Sequence, residues 1–302
     1  MRTNYAVVCL AVALAAPALQ AQQLEPRAYS NIPVGMNFAL LGYTHSRGDV
    51  LPDPSLPARD VSAQVDTLVM AYARGLDLWG KSGQISLVAP YSWGTVSGLL
   101  EGQPTSVKRS GFGDPVLRLS VNFLGAPALS LKDFASYRQQ TVLGASLSVS
   151  APLGQYDPTK VVNIGTNRWA FKPELGVSHA LGNWVLEGAL AVWLFTDNDQ
   201  YFGGRIRSQA PLYAAQAHAV YNFRPGLWAA LDYTHYTGGR TTVDGVERGD
   251  AQQNARWGAT LALPVDRHNS IKLYASTGLL ARSGTNFDVL GVAWQYRWGA
   301  GL

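Results

Sequence analysis

The chain has 302 residues, a formal charge of +4, 31 glycines, one cysteine, 11% aromatic residues and 15% charged residues. Charge is scarce against the roughly 25% of ordinary soluble domains, and the basic residues are dispersed rather than clustered, which argues against nucleic acid as a partner. With Cys9 the only thiol, a disulfide framework and a cysteine metal site are both excluded.

The N-terminus has the pattern of an export signal, with Arg2, an apolar run over 5–16 and small residues behind it. Cleavage after Ala18 or after Ala21 satisfies parts of the small-residue rule. The second leaves a polar start at Gln22-Gln23, giving a signal over 1–21 and a mature domain over 22–302. No later run reaches the ~18 apolar residues of a helical span. An exported chain without such an anchor belongs in the periplasm, the medium or the outer membrane of a Gram-negative cell.

Period-two alternation then predicts about twelve strands. In the first half they fall near 34–46, 62–78, 83–95, 112–125 and 139–153. The second half supplies 168–180, 184–196, 209–223, 226–238, 253–265, 269–282 and 285–298. The last of these is the clearest: Leu290, Val292, Trp294, Tyr296 and Trp298 alternate with Val289, Gly291, Ala293, Gln295 and Arg297. One face is apolar with an aromatic end and the other small and polar, as expected between lipid and a wet interior. Tyr213 and Tyr221 bracket another strand eight residues apart. At ~3.3 Å per residue and a tilt of ~40° they are separated by about 20 Å of depth, close to the spacing of two aromatic girdles.

Connections alternate in length. Long ones lie near 47–61, 96–111, 154–167, 197–208 and 239–252, and short ones include 80–82, 181–183, 224–226 and 266–268. With both termini in the periplasm, the long loops face outward. The inward connection 126–138 breaks the rule and contains an amphipathic piece over 129–135 with Ser130 as its cap. This piece either covers or plugs the periplasmic mouth, or is a surface helix without a gating role. The predicted fold is therefore all-β: a transmembrane antiparallel up-and-down β-barrel of about 12 strands with one short periplasmic helix.

Several runs carry a family resemblance: Leu41-Gly42-Tyr43, Gly111-Phe112-Gly113-Asp114-Pro115, Ala151-Pro152-Leu153-Gly154-Gln155-Tyr156-Asp157 and Trp169-Ala170-Phe171-Lys172-Pro173-Glu174. They resemble the bacterial outer-membrane barrel family named for the meta pathway of phenol degradation, whose members are described as transporters. The resemblance implies an outer-membrane pore, not an enzyme, and raises aromatic solutes as a hypothesis. It supplies no catalytic residue set.

Candidate lumen-lining residues are Asp114, Arg118, Lys172, Glu174, Glu187, His218, Asp232, Arg256, Lys272, Tyr274 and Arg297, with Arg282 at a further inward position. Asp114 and Arg118 are four apart in one predicted strand, and Lys172 and Glu174 two apart, so each pair shares a face. Facing rows of acids and bases would set solute preference, or would stitch the interior together by compensating pairs. Hydrolysis at the barrel rim needs a nucleophile beside a base. His45, His179, His218, His235 and His268 fall in no zinc spacing, and no Gly-x-Ser-x-Gly elbow occurs. Asp197, Asn198 and Asp199 do not make a calcium ligand set. No metal and no cofactor is expected. The expected partners are outer-membrane lipids, small-molecule solutes and the barrel-assembly machinery, and the function is passive passage of small aromatic or hydrophobic molecules. The alternative is a structural or surface-interaction barrel working through its outer loops.

Overall fold

The computed structural model describes residues 25–49, 58–160, 162–281 and 286–302. The predicted signal over 1–21 and Arg282 lie outside the described residues. The strands are β1 (Met36–Asp49), β2 (Ala58–Leu78), β3 (Lys81–Leu100), β4 (Gln103–Phe112), β5 (Val116–Leu124), β6 (Thr141–Ser150), β7 (Ala170–Leu181) and β8 (Trp184–Phe195). They continue with β9 (Asn198–Tyr201), β10 (Arg205–Gln209), β11 (Leu212–Arg224), β12 (Leu227–Gly238), β13 (Thr241–Val243), β14 (Val246–Glu247), β15 (Gln252–Pro264), β16 (Asn269–Ala281) and β17 (Asn286–Gly299).

Twelve strands close the wall in the order β1, β2, β3, β5, β6, β7, β8, β11, β12, β15, β16, β17. Closure is complete because β17 pairs antiparallel with β1 from Asp49↔Asn286 to Met36↔Gly299. A closed sheet leaves no backbone donor or acceptor unpaired at an edge, the condition for crossing lipid with strands.

Side chains sort by the pleat. On β17, Leu290, Val292, Trp294 and Tyr296 point outward and are 37–66% exposed, while Gly291 and Ala293 face inward. The interior instead collects Ser146, Ser148, Ser150, Ser178, Thr234 and Thr260, all buried. That is the inverse of a soluble sheet and suits a wall between lipid and a polar lumen. Aromatic groups mark both ends of the apolar band. Trp184, Tyr221 and Phe223 cluster at the periplasmic end with Trp294, Tyr296 and Trp298, and Tyr43, Tyr91, Trp93 and Phe112 at the outer end.

Two features of the outer half depart from the predicted elements. The stretch 96–111, expected as a long loop, continues β3 upward and returns as β4 through a tight turn at Glu101-Gly102, both with positive φ. The expected fourth strand over 112–125 starts only at Val116, as β5, after a break at Gly113-Asp114-Pro115, so Asp114 lies outside the strand that carries Arg118. Pro115 has no N–H to donate to a ladder, and Asp114 turns instead to the outer loop. Its Oδ1 accepts from the Gly154 amide (2.9 Å), and its Oδ2 accepts from the Thr166 amide (2.9 Å) and hydroxyl (2.6 Å). The connections 197–208 and 239–252, read as loops, contain β9, β10, β13 and β14, which form a separate small sheet.

The predicted amphipathic piece is a single helical turn, α1 (Leu131–Phe134), with Ser130 Oγ capping the Asp133 amide at 3.2 Å. It buries none of its side chains. Another segment fills the mouth.

Candidate functional site

Residues 25–34 enter the lumen from the periplasmic end. Their C-terminal end is tied to the connection before α1, where the Val34 amide donates to Leu129 O (2.9 Å) and Asn31 Nδ2 to Pro127 O (3.2 Å). From there the chain runs inward, and three of its side chains meet the interior-facing residues of five strands.

Tyr29 is the anchor, with 3% of its surface exposed. Its ring sits in a dimple made by Gly144 on β6 and Gly176 on β7, which are direct cross-strand partners. A Cβ at either glycine would overlap the ring, so the sequence leaves this gap in an otherwise filled wall. The phenol donates to Glu174 Oε1 (2.8 Å), and the Arg118 guanidinium lies 5.7 Å from the ring centroid. Arg27 places its amide on Glu187 Oε2 (2.5 Å), its Nη1 on Asn222 Oδ1 (3.1 Å) and its guanidinium over Trp228. Glu25, furthest in, accepts from Arg118 Nη1 (2.7 Å), with Lys172, Lys272 and His218 in electrostatic reach.

These contacts gather many of the candidate lumen residues into one network. Arg118 bridges Glu25 and Glu174, and Lys172 Nζ lies 3.1 Å from Glu174 Oε2. Glu187 also accepts from Ser178 Oγ (2.9 Å). His218 Nδ1 is 2.7 Å from Asp232 Oδ1, and Asp232 Oδ2 accepts from Thr260 Oγ1 (3.1 Å). Lys272 stands at an inward position of β16, opposite Ala293 of β17. This network carries Arg27, Arg118, Lys172 and Lys272 against Glu25, Glu174, Glu187 and Asp232, an even balance. Compensation of this kind lets buried charges persist.

The other candidates sit elsewhere. Arg256 Nη2 donates to Ser276 Oγ and to Phe287 O, both at 2.8 Å, nearer the outer mouth. Tyr274 fills the interior against Gly291, where a Cβ would strike its ring. Arg297 stays at the periplasmic rim, its Nε on Arg267 O (2.8 Å). Asp114 holds the outer loop, as described. Above the network, the buried Arg168 guanidinium stacks on Phe195 and donates to Gln209. Burial beside Arg207 pulls its pKa down to about 9.

Glu25, Arg27 and Tyr29 escape a reading based on strand periodicity, because the segment that bears them has no alternation. A trace exists in the wall itself: Gly144 and Gly176 have no side chain at inward positions, while inward residues next to them on the same strands, Ser146, Glu174 and Ser178, are polar.

A closed antiparallel barrel with a polar interior and an apolar exterior girdled by aromatics is an outer-membrane barrel protein, and this chain is one. It belongs to the family described as the MetA-pathway of phenol degradation, whose model matches residues 44–294. No curated protein matches the sequence. Among solved structures, an outer membrane channel from Pseudomonas putida F1 is similar at 20% identity with a TM-score of 0.75, covering 91% of this chain and 100% of that one. The β domain of the Bordetella autotransporter BrkA aligns at 12% identity and a TM-score of 0.52, over 88% and 100% of the two chains. The transport unit of the autotransporter AIDA-I from Escherichia coli aligns at 7% identity and a TM-score of 0.52, over 93% and 96%. At these identities the likeness is one of fold.

Proposed function

We infer that the protein is a passive outer-membrane channel for small hydrophobic or aromatic molecules, held shut in this state by its own N-terminal segment. The observation that carries this reading is the seating of residues 25–34. A lumen needed only for structural support would be filled by wall side chains, whereas here glycines open space for a separate piece of chain. That piece is held by one buried ring, hydrogen bonds and ion pairs and belongs to no strand of the wall, so it can leave without dismantling the barrel. Family membership favours aromatic solutes, and the channel fold of the Pseudomonas relative agrees with passage through the lumen.

The test is flux. Liposomes containing the purified protein should take up a radiolabelled aromatic acid or alcohol down its gradient faster than protein-free liposomes. They should take it up faster still when residues 25–33 are removed. Equal rates in all three preparations would sink the reading.

A further inference from the structure

The outer wall holds a concavity that the lumen does not use. It has a volume of about 440 Å³ and is lined chiefly by Gln64, Asp66, Trp93, Thr95, Lys108 and Arg109. That volume lies within the range of small-molecule sites.

Its position follows from the register of β1 to β4. Tyr43, Leu68, Tyr91 and Phe112 are cross-strand neighbours in one row, with Tyr91 edge-on to Phe112 at 5.1 Å, and they form the outer aromatic girdle. The next row outward is His45, Asp66, Trp93 and Ser110, and the one after it Arg47, Gln64, Thr95 and Lys108. Two steps thus take the lipid-facing wall from aromatic to polar and basic. Thr95 stands four residues above Tyr91, about 10 Å higher at ~3.3 Å per residue and a tilt of ~40°. That is the depth of phosphates and first sugars in an outer leaflet.

The floor of the groove is firm. On the opposite face of these strands Val61, Ala63, Val65 and Val96 are buried with Val162 and Phe287. Arg109 is fixed at the edge of β4 by bonds from Nε to Val162 O (2.9 Å) and from Nη1 to Lys108 O (2.8 Å). Asp66 is held by the Tyr43 hydroxyl (2.6 Å) and by His45 Nδ1 (2.8 Å). Trp93 leaves 39% of its surface open.

We propose that this groove binds the phosphorylated sugar headgroup of an outer-leaflet glycolipid. Lys108, in the same row as Arg47, supplies a cationic donor to a phosphate. The Trp93 ring offers an apolar face to the C–H side of a sugar, and Gln64, Thr95 and Asp66 present groups that bond its hydroxyls. The apolar rows directly below accept the acyl chains, which selects an amphiphile over free phosphate or soluble sugar.

The full-length protein in detergent micelles is incubated with diphosphoryl lipid A or its phosphate-free counterpart and examined by native mass spectrometry. Wild type should retain diphosphoryl lipid A in preference to the phosphate-free lipid, and excess inorganic phosphate should not displace it. Lys108→Glu should reduce retention about tenfold, the effect of losing one charge-assisted contact. Lys81→Glu, the same change at the exposed periplasmic turn, should leave it unchanged. Heat-dependent gel mobility confirms that each variant is folded. Undiminished retention by Lys108→Glu, an equal loss in Lys81→Glu, displacement by phosphate, or no preference for the phosphorylated lipid would each overturn the proposal.

Discussion

Gly176→Ala tests the seating of the N-terminal segment without touching the segment itself. The added methyl would overlap the Tyr29 ring, whose other side is bounded by Gly144, so the ring must leave its dimple. A tyrosine buries ~150–250 Å², which at ~25 cal/mol per Å² is about 4–6 kcal/mol. The bond from the phenol to Glu174 adds about 1.5–3 kcal/mol. Ordering the segment offsets much of this, and large-to-Ala substitutions of buried aromatics cost about 3–5 kcal/mol. With ~3 kcal/mol lost, the ratio of seated to unseated segment falls on the order of 100-fold. Single-channel recording in a planar bilayer reads the change: Gly176→Ala should raise the open fraction or the conductance. In a Tyr29→Ala background the same substitution should add nothing, because the group it displaces is gone. Unchanged currents in Gly176→Ala would refute the reasoning. So would an effect of the same size in the Tyr29→Ala background, because the methyl would then be acting on the wall.

Three other perturbations address different parts of the structure. Arg118→Gln removes the cation between Glu25 and Glu174 and should cost about 3 kcal/mol in urea unfolding, the low end for a broken buried pair because Glu25 is 41% exposed. The remaining carboxylates should shift permeability toward cations, and a shift toward anions would contradict the assignment. Asp114→Ala strands three donors and should cost about 3 kcal/mol or more, seen as faster protease cleavage within 151–168; unchanged cleavage would show that Asp114 does not hold the loop. In the β15–β16 turn, Asp266 accepts from the Asn269 side chain and from the amides of His268 and Asn269, which hold its carboxyl below the usual 3.8. A lowered native pKa means that its contribution is present above the unfolded value and lost as pH falls through the native one. The His268 amide shift should titrate with a midpoint below 3.8, and a midpoint at or above that value would contradict the bonding.

Strand number, closure and facing were legible in the sequence because lipid imposes period-two alternation wherever the wall is crossed. β17 shows this most clearly, with its aromatic row outward and Gly291 and Ala293 inward. The outer half was less legible because lipid no longer dictates the pattern there. β3 and β4 extend through a stretch rich in Ser and Gly that reads as a loop, and the break at Gly113-Asp114-Pro115 depends on bonds to a loop more than 40 residues away. In the site, Lys172 and Glu174 could be paired from their spacing alone. Their partner Tyr29 could not, because an insertion into a lumen has no periodicity. What it leaves in the sequence is a missing side chain on each of two adjacent strands, meaningful only once their register is known.

The central claim is that this barrel conducts through its lumen and that residues 25–34 close it. Single-channel current through the intact protein, compared with the current after removal of residues 25–33, tests both halves at once. A small or intermittent current that becomes large and steady on removal is the predicted result. A barrel that stays folded and non-conducting without the segment would contradict the account.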